Sequence, residues 1–274
     1  MMRLTIKGSP ASGWYAPPKG THSGEEHRAV GSGKVVSKRT LVRTGLGSSP
    51  ISGKSPIPGN MRGMNEAHII EYEDGSKALF KPQSGMGVGS VAGEVLTYEF
   101  SKSLGWDLVP ETITTEIDGK VGSLQQWVPD SQTGTSFSWE DQPAYRGLVH
   151  GQAYARMMAM DRLLHNNDRH DDNWLRDGNG KLWAIDNGDS GNKKSISKSA
   201  SNLASRITFY ARGSPPQFDA AYKEIAKWSS TPGYQEFRRK VVAHSHYEEG
   251  VTGQQVALYL DLAVGELRGW AAES

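Results

Sequence analysis

Cysteine is absent from all 274 residues of the chain. A disulfide framework, a zinc site with cysteine ligands and membrane anchoring through acylated cysteine are therefore excluded. Long apolar runs are absent as well: no stretch reaches the roughly eighteen residues that a membrane helix needs, and residues 1–10 lack the apolar core of a signal peptide. Together these absences predict a soluble, cytoplasmic protein without a transmembrane segment.

Acidic side chains are scarce at the start of the chain. Residues 1–62 hold ten Lys or Arg and two Glu, a balance of +8, whereas the whole chain carries +1, so the remainder carries −7. The segment is also rich in Gly, Ser and Pro and has no sustained periodicity. We predict a largely irregular, flexible basic arm, by default solvated, that could instead contact an anionic surface or nucleic acid.

A strand lysine followed by a helix glutamate stands out in the first half. Residues 68–82 alternate as two strands around an Asp-Gly turn, and residues 93–105 have a helical pattern stopped by glycine. Lys81 lies at the end of the second strand, and Glu94 lies near the start of the helix. A lysine at a strand end is usually a solvated charge, so this pair gains meaning only from the second half of the chain. Two weaker candidates for the same pair are Lys77 and Glu99.

Three oxygen-bearing side chains follow in the second half. Between Asn173 and Asp186, two short apolar runs flank the turn sequence Asp-Gly-Asn-Gly, which predicts a β-hairpin. The open ends of a hairpin meet, so Asn173 and Asp186 can converge on a hard cation such as Mg²⁺, with Mn²⁺ as an alternative. Asp168, in the loop just before the hairpin, could then accept the proton of an attacking hydroxyl. Asp161, one helical turn before His165, could brace this loop.

The segment between these two halves is an apolar strand. Residues 120–129 end in proline and lie between the lysine–glutamate pair and the three oxygen-bearing side chains, a position that resembles the hinge between the lobes of kinases. The resemblance implies that adenine would sit against backbone groups near Gln126, Trp127 and Val128.

These patterns resemble a known family. Asp168 precedes Asn173 by five positions, as in the protein-kinase pattern H-R-D-x-x-x-x-N, and Asp186 precedes a glycine as in D-F-G. The words Asp-Asn-Trp-Leu at residues 172–175 and Ala-Ile-Asp-Asn-Gly at residues 184–188, with the strand at 120–129, look like type II phosphatidylinositol 4-kinases. These belong to the phosphatidylinositol 3/4-kinase-like superfamily, and the resemblance covers roughly residues 66–191.

The resemblance implies an α+β, bilobal kinase fold. A β-rich N-lobe and hinge at residues 63–129 and a larger helical C-lobe at residues 130–274 would follow the basic arm. It further implies that Lys81 binds ATP phosphates and is held by Glu94. Asp168 would be catalytic, with Asn173 and Asp186 on the metal.

The acceptor of the phosphoryl group is open between protein and inositol lipid. Residues 192–212 hold five basic residues and no acidic one, which favours an anionic acceptor at Lys193, Lys194 or Lys198. No membrane-insertion device is visible, which leans towards a protein Ser or Thr hydroxyl. His170 either touches the acceptor or is hydrogen-bonded locally.

The loop that covers the phosphates has two candidate positions in the sequence, Ser48–Ser49 and residues 59–63. Glycines at 85, 87 and 89 with Asp107 loosely resemble a dinucleotide-binding turn, but the third glycine position is Ser90. The sequence is also compatible with a nucleotide-binding pseudokinase or scaffold, and with an enzyme that transfers AMP.

Overall fold

A computed structural model describes residues 6–7, 30–31, 33–40, 66–83, 89–137, 142–191 and 216–274. Within them the strands are β1 (Ile6–Lys7), β2 (Val35–Thr40), β3 (His68–Tyr72), β4 (Lys77–Pro82), β5 (Thr112–Ile117), β6 (Lys120–Gln126), β7 (Gln132–Thr133), β8 (Trp174–Arg176) and β9 (Leu182–Ala184). The helices are α1 (Val91–Ser103), α2 (Gln142–Val149), α3 (Gln152–Leu164), α4 (Pro216–Trp228), α5 (Pro232–Ala243) and α6 (Gly253–Glu273).

The N-lobe is built on an antiparallel sheet of six strands in the order β1-β5-β6-β4-β3-β2. The predicted β3–β4 hairpin is present, and Gly75 takes a positive φ of 81° in its turn. β1 and β2 come from the basic segment before residue 63, so this sheet draws strands from the predicted arm. Val30 and Val35 pack against the buried side chains of Ile70, Phe80 and Leu124 on one face of the sheet.

The C-lobe is helical and holds the larger core. Side chains of α1, α3, α4, α5 and α6 bury one apolar cluster, whose largest fully buried members are Trp174, Tyr222, Phe100 and Phe237. The predicted hairpin forms here: β8 pairs with β9 antiparallel, with Trp174 opposite Ala184, and β7 adds a third strand. Asn173 and Asp186 therefore flank the open end of this hairpin.

Two helix starts match the capping chemistry of the sequence. Ser90 accepts a hydrogen bond from the backbone N–H of Gly93 at 2.9 Å and so caps α1 just before Glu94. Thr252 and Gln255 form a reciprocal capping box at the start of α6. Across the described residues, no helix is both long and apolar enough to cross a membrane.

Candidate active site

Lys81 joins the two lobes. Its ammonium Nζ lies 2.6 Å from Glu94 Oε1 on α1 and 2.7 Å from Asp186 Oδ1, which follows β9 in the C-lobe. Burial lowers the pKa of Lys81, but the carboxylates of Asp186 and Glu94 outweigh burial and raise it above its ordinary value. Lys81 therefore stays protonated, as a group that binds phosphate must.

Glu94 is almost fully buried and makes a second contact. Its other oxygen, Oε2, accepts a hydrogen bond from the backbone N–H of Asn187 at 3.1 Å. One carboxylate thus fixes the lysine of the N-lobe and the backbone just after Asp186. The weaker candidates form other pairs: Lys77 lies 3.7 Å from Glu71, and Glu99 lies 2.6 Å from Lys240.

Helix α1 rests directly on the segment after Asp186. A Cβ atom on Gly93 would lie 2.5 Å from the carbonyl oxygen of Gly188, so only glycine fits there without a shift of the backbone. The backbone N–H of Ser90 donates to the same carbonyl at 2.8 Å, and Thr97 Oγ1 lies 2.9 Å from Ser190 Oγ. The glutamate helix and the Asp186 loop are therefore packed as one unit.

The two predicted metal ligands converge at the mouth of the hairpin. The backbone N–H of Ile185 donates to the carbonyl of Asn173 at 3.0 Å, which ties the residues next to both ligands together. Asp186 has a positive φ of 54°, a left-handed conformation that Asp adopts more readily than most residues. Its side chain keeps a quarter of its surface exposed, so it can reach a ligand in the cleft.

Asn173 carries an oxygen without a partner. Its Nδ2 donates to the carbonyl of Asp168 at 2.7 Å, but its buried Oδ1 has no hydrogen-bond partner among the described residues. A buried acceptor left unpaired is costly and calls for a ligand. This oxygen, together with the Asp186 carboxylate, fits a divalent cation that takes its other ligands from phosphates and water. No described cluster of three or more His, Cys, Asp or Glu offers a competing metal site.

Arg169 holds the loop that carries Asp168 in place. Its guanidinium donates two hydrogen bonds, of 2.8 and 2.9 Å, to the Asp161 carboxylate, and both side chains are nearly fully buried. The same group donates to the backbone carbonyls of Asn173 and Ile185 and to the side chain of Asn187. Asp161 thus braces the loop as predicted, through a partner that the sequence did not reveal.

Asp168 is exposed at the tip of this loop. Its backbone N–H donates to Asn166 Oδ1 at 3.1 Å, and its carboxylate faces solvent, where an acceptor can approach it. His170 is exposed too, and its Nδ1 accepts from the backbone N–H of Asp172 at 3.2 Å. This contact is the local hydrogen bond that the sequence offered as the alternative to acceptor binding.

The predicted hinge follows β6. The N–H of Gln126 donates to the Glu111 carbonyl at 2.8 Å, and the N–H of Trp127 donates to the Lys77 carbonyl at 3.0 Å. The N–H of Val128 makes no such backbone bond within the described residues. Adenine binding at these three residues stays a prediction.

Several predicted positions lie outside the described residues. These are Lys193, Lys194 and Lys198, both segments proposed to cover the phosphates, and the glycines at 85 and 87. The two phosphate-loop segments belong to the connection between β2 and β3. At the ends of this connection Thr40 pairs with His68, and His68 pairs on its other side with Phe80, the residue before Lys81. Both ends of that connection therefore lie at the sheet end that carries Lys81. Asp107, the acid of the dinucleotide-binding pattern, forms an ion pair with Lys181 instead.

Two contributors to the site, Arg169 and Asn187, were not predicted from the sequence. Arg169 lies in a run of polar loop residues, where a solvated side chain is the ordinary expectation. The signal that could have indicated it is Asp161, because a carboxylate buried in a helix needs a cationic partner. Asn187 had no signal, because its contacts depend on how α1 packs against the loop.

Comparison with solved structures identifies the fold as kinase-like. A structure of the Helicobacter pylori proinflammatory kinase CtkA superimposes with a TM-score of 0.56 at 15% identity, over 76% of this chain and 94% of that one. Two weaker likenesses are the Golgi casein kinase (TM-score 0.44, 10% identity, 78% and 71% coverage) and hydra Fam20 with sugar (0.45, 14%, 78% and 83%). No family model and no curated protein matches the sequence. The predicted α+β bilobal kinase fold is thus confirmed.

Proposed function

We propose that this chain is an ATP- and Mg²⁺-dependent kinase that transfers the γ-phosphoryl group to a hydroxyl. The observation that carries the proposal is the meeting of Lys81, Glu94 and Asp186 within 2.7 Å, from segments up to 105 residues apart. Phosphoryl transfer from ATP in protein kinases requires a strand lysine paired with a helix glutamate and an aspartate that binds Mg²⁺, and here these three side chains meet.

Each residue has a distinct task in this mechanism. Lys81 binds the phosphates of ATP, and Glu94 keeps its ammonium in place. Asn173 Oδ1 and the Asp186 carboxylate would hold the metal ion, which would supply positive charge to neutralise the phosphates. Asp168 accepts the proton of the attacking hydroxyl, a contribution of about 10²–10⁴ in rate.

A protein serine or threonine is the acceptor that we favour. Within the described residues no helix can insert across a bilayer, and Asp168 stands on an exposed loop that an extended peptide can reach. The second candidate is an inositol lipid. It is favoured by the type II phosphatidylinositol 4-kinase words in the sequence and by the basic residues after position 191.

Transfer from γ-labelled ATP tests the proposal. The full chain is incubated with Mg²⁺ and either a basic protein or phosphatidylinositol vesicles, and mass spectrometry of the product separates phosphate from AMP. We expect phosphate on protein, lost by at least about a hundredfold in Asp168→Asn and Asp186→Asn. Asp172→Asn, in the same loop, is the matched control and should retain activity.

The outcomes separate the candidate functions. Label on lipid alone would transfer the proposal to the second candidate. Added AMP would replace phosphoryl transfer by adenylyl transfer. Nucleotide binding without turnover would indicate a pseudokinase, and turnover that survives both Asp variants would overturn the assigned site.

A further inference from the structure

A backbone carbonyl of the C-lobe completes the start of α1. The first N–H groups of a helix have no acceptor within the helix itself. At this helix start Gly93 donates to the Ser90 side chain, whereas the N–H of Ala92 donates to the backbone carbonyl of His246 at 3.0 Å. His246 follows α5 in the C-lobe, and Ala92 lies two residues before Glu94. This carbonyl therefore holds the turn of α1 that carries Glu94.

The ring of His244 keeps that carbonyl in place. The N–H of His246 donates to His244 Nδ1 at 3.2 Å, so Nδ1 is the unprotonated nitrogen of the ring. The ring proton is then on Nε2, which donates to Thr114 Oγ1 on β5 at 3.2 Å. Burial, and then the neighbouring His246, lower the pKa of His244 to about 4, so at neutral pH Nδ1 stays an acceptor. One imidazole thus connects β5, the loop after α5 and, through His246, the start of α1.

A second contact between α5 and α1 lies further along the helix. Lys240 of α5 pairs with Glu99 at 2.6 Å. Glu99 follows Glu94 by five residues, which at about 100° per residue turns its side chain to another face of α1. That pair holds the middle of the helix, whereas its first turn depends on contacts at the start. Among the described residues, the C-lobe carbonyls that accept from the start of α1 are those of His246 and Gly188.

Glu94 tolerates little displacement of this turn. Its Oε1 lies 2.6 Å from Lys81 Nζ, its Oε2 accepts from the N–H of Asn187 at 3.1 Å, and the side chain is almost fully buried. A misplacement of about 1 Å, even when it starts far from the chemistry, can lower a rate about a hundredfold. A looser first turn of α1 should therefore act on Lys81, and through it on the phosphates of ATP, but not on the acceptor.

We propose that His244 is a positioning residue for phosphoryl transfer, because its Nδ1 fixes the His246 carbonyl that holds the Glu94 turn of α1. The described contacts of the His244 ring are with Thr114, His246 and Tyr247, so it acts on ATP only through α1. The proposal rests on the proposed kinase function, but the link between His244 and α1 can be measured without activity.

Two amide substitutions separate the roles of the two ring nitrogens. Asparagine carries an oxygen close to the position of Nδ1 and readily accepts from the N–H two residues further on, as in an Asx turn. Glutamine carries its amide one carbon further out, near the position of Nε2, and so can keep the contact with Thr114 instead. His244→Asn should therefore preserve the link to His246, whereas His244→Gln and His244→Ala should lose it. His150→Ala, which changes an exposed histidine after α2, is the matched control.

Hydrogen exchange of the Ala92 amide in the full chain, followed by NMR, measures the link directly. We expect exchange at least about tenfold faster in His244→Ala and His244→Gln than in wild type. His244→Asn and His150→Ala should stay close to the wild-type rate. The rate at Ala92 is taken relative to buried amides of α6, so that a general loss of stability is not mistaken for a local one.

Transfer from γ-labelled ATP then measures the consequence for catalysis. His244→Ala and His244→Gln should lower kcat/KM for ATP at least about tenfold while the KM for the protein acceptor changes by less than about twofold, and His244→Asn should restore transfer. Three results would each overturn the proposal: equal exchange at Ala92 in wild type and His244→Ala, equal rescue by glutamine and asparagine, or faster exchange with unchanged transfer. A wild type that transfers no phosphate would instead overturn the proposed kinase function, and the exchange rates would still decide whether His244 holds α1.

Discussion

The site contains two buried cations whose surroundings differ. Lys81 is shared by two carboxylates, Glu94 and Asp186, whereas Arg169 grips one carboxylate and completes its fork with carbonyl and amide oxygens. Lysine is a compact charge that can change partners, and the arginine fork is fixed in its geometry. Under the proposed mechanism, Lys81 has to change its partner when Asp186 binds the metal. The described hydrogen bonds of Arg169 go to the side chains and backbone that hold the loop. We therefore call Lys81 the working cation, which would act on the substrate, and Arg169 the positioning cation, which keeps the loop in place.

Removing the positioning cation should have the largest effect on stability. Arg169→Met leaves the carboxylate of Asp161 buried without a cation, so the free energy of unfolding should fall by about 3–5 kcal/mol. Activity should fall with it, because the backbone next to both proposed metal ligands loses its hydrogen bonds from Arg169. Chemical denaturation and a transfer assay measure the two effects.

A surface pair provides the control for that prediction. Arg239 and Glu236 pair on the exposed side of α5, and Arg239→Met should leave unfolding unchanged. Equal denaturation midpoints for Arg169→Met and wild type would contradict the positioning role.

Removing the working cation should affect activity more than stability. Lys81→Met should lower transfer by at least about a hundredfold, since the phosphates lose their buried charge. The unfolding loss should be smaller than for Arg169→Met, because Asp186 is partly exposed and Glu94 keeps its bond from Asn187. Lys77→Met, on the same strand, should keep full activity.

Lys81→Met also shows whether Lys81 and the metal compete for the Asp186 carboxylate. Without the lysine, Asp186 is released for the metal, so Mg²⁺ alone should raise the melting temperature of Lys81→Met more than that of wild type. An equal or smaller shift would show that Lys81 and the metal do not share Asp186.

A methyl group added at Gly93 tests how tightly α1 packs against the segment after Asp186. Gly93→Ala forces a Cβ against the Gly188 carbonyl, so we expect a loss of about 1–3 kcal/mol in unfolding free energy and reduced activity. Gly147→Ala, in α2, meets nothing within 4 Å and should stabilise by about 0.5–1 kcal/mol. Equal effects of the two substitutions would show that α1 can move away from the loop without cost.

The last effect appears only as the pH falls and concerns a histidine contact between the lobes. Burial, and then the neighbouring His246, lower the pKa of His244 to about 4, and its ring lies 3.2 Å from Thr114 Oγ1 on β5. The unfolded chain therefore binds the extra proton first. This contribution to stability is complete above pH 6.5 and is lost as pH falls towards 4, by at most about 1.4 kcal/mol per pH unit. The difference in unfolding between wild type and His244→Gln should shrink over this window, and a constant difference would contradict the prediction.

Prediction succeeded where the signal was local. The β3–β4 hairpin and the β8–β9 hairpin each depend on turn residues within a few positions. The strands drawn from the basic segment were not predicted, because this segment has little local periodicity. The pairing of β2 with β3, roughly thirty residues further along, leaves no signal in the nearby sequence. For the same reason the role of Arg169 was not predicted, since nothing nearby in sequence shows that a polar loop folds inwards.

The sequence by itself determined the order of the chemical groups and the elements that carry them. It placed Lys81 on a strand, Glu94 at a helix start, and Asn173 and Asp186 at the mouth of a hairpin. Only the tertiary structure decided that Lys81 is shared between the carboxylates of Glu94 and Asp186 and that Arg169 holds the loop. It also decided that Asn173 Oδ1 has no hydrogen-bond partner among the described residues. Short-range propensity fixes elements, whereas these contacts depend on how α1 and the hairpin are buried against each other.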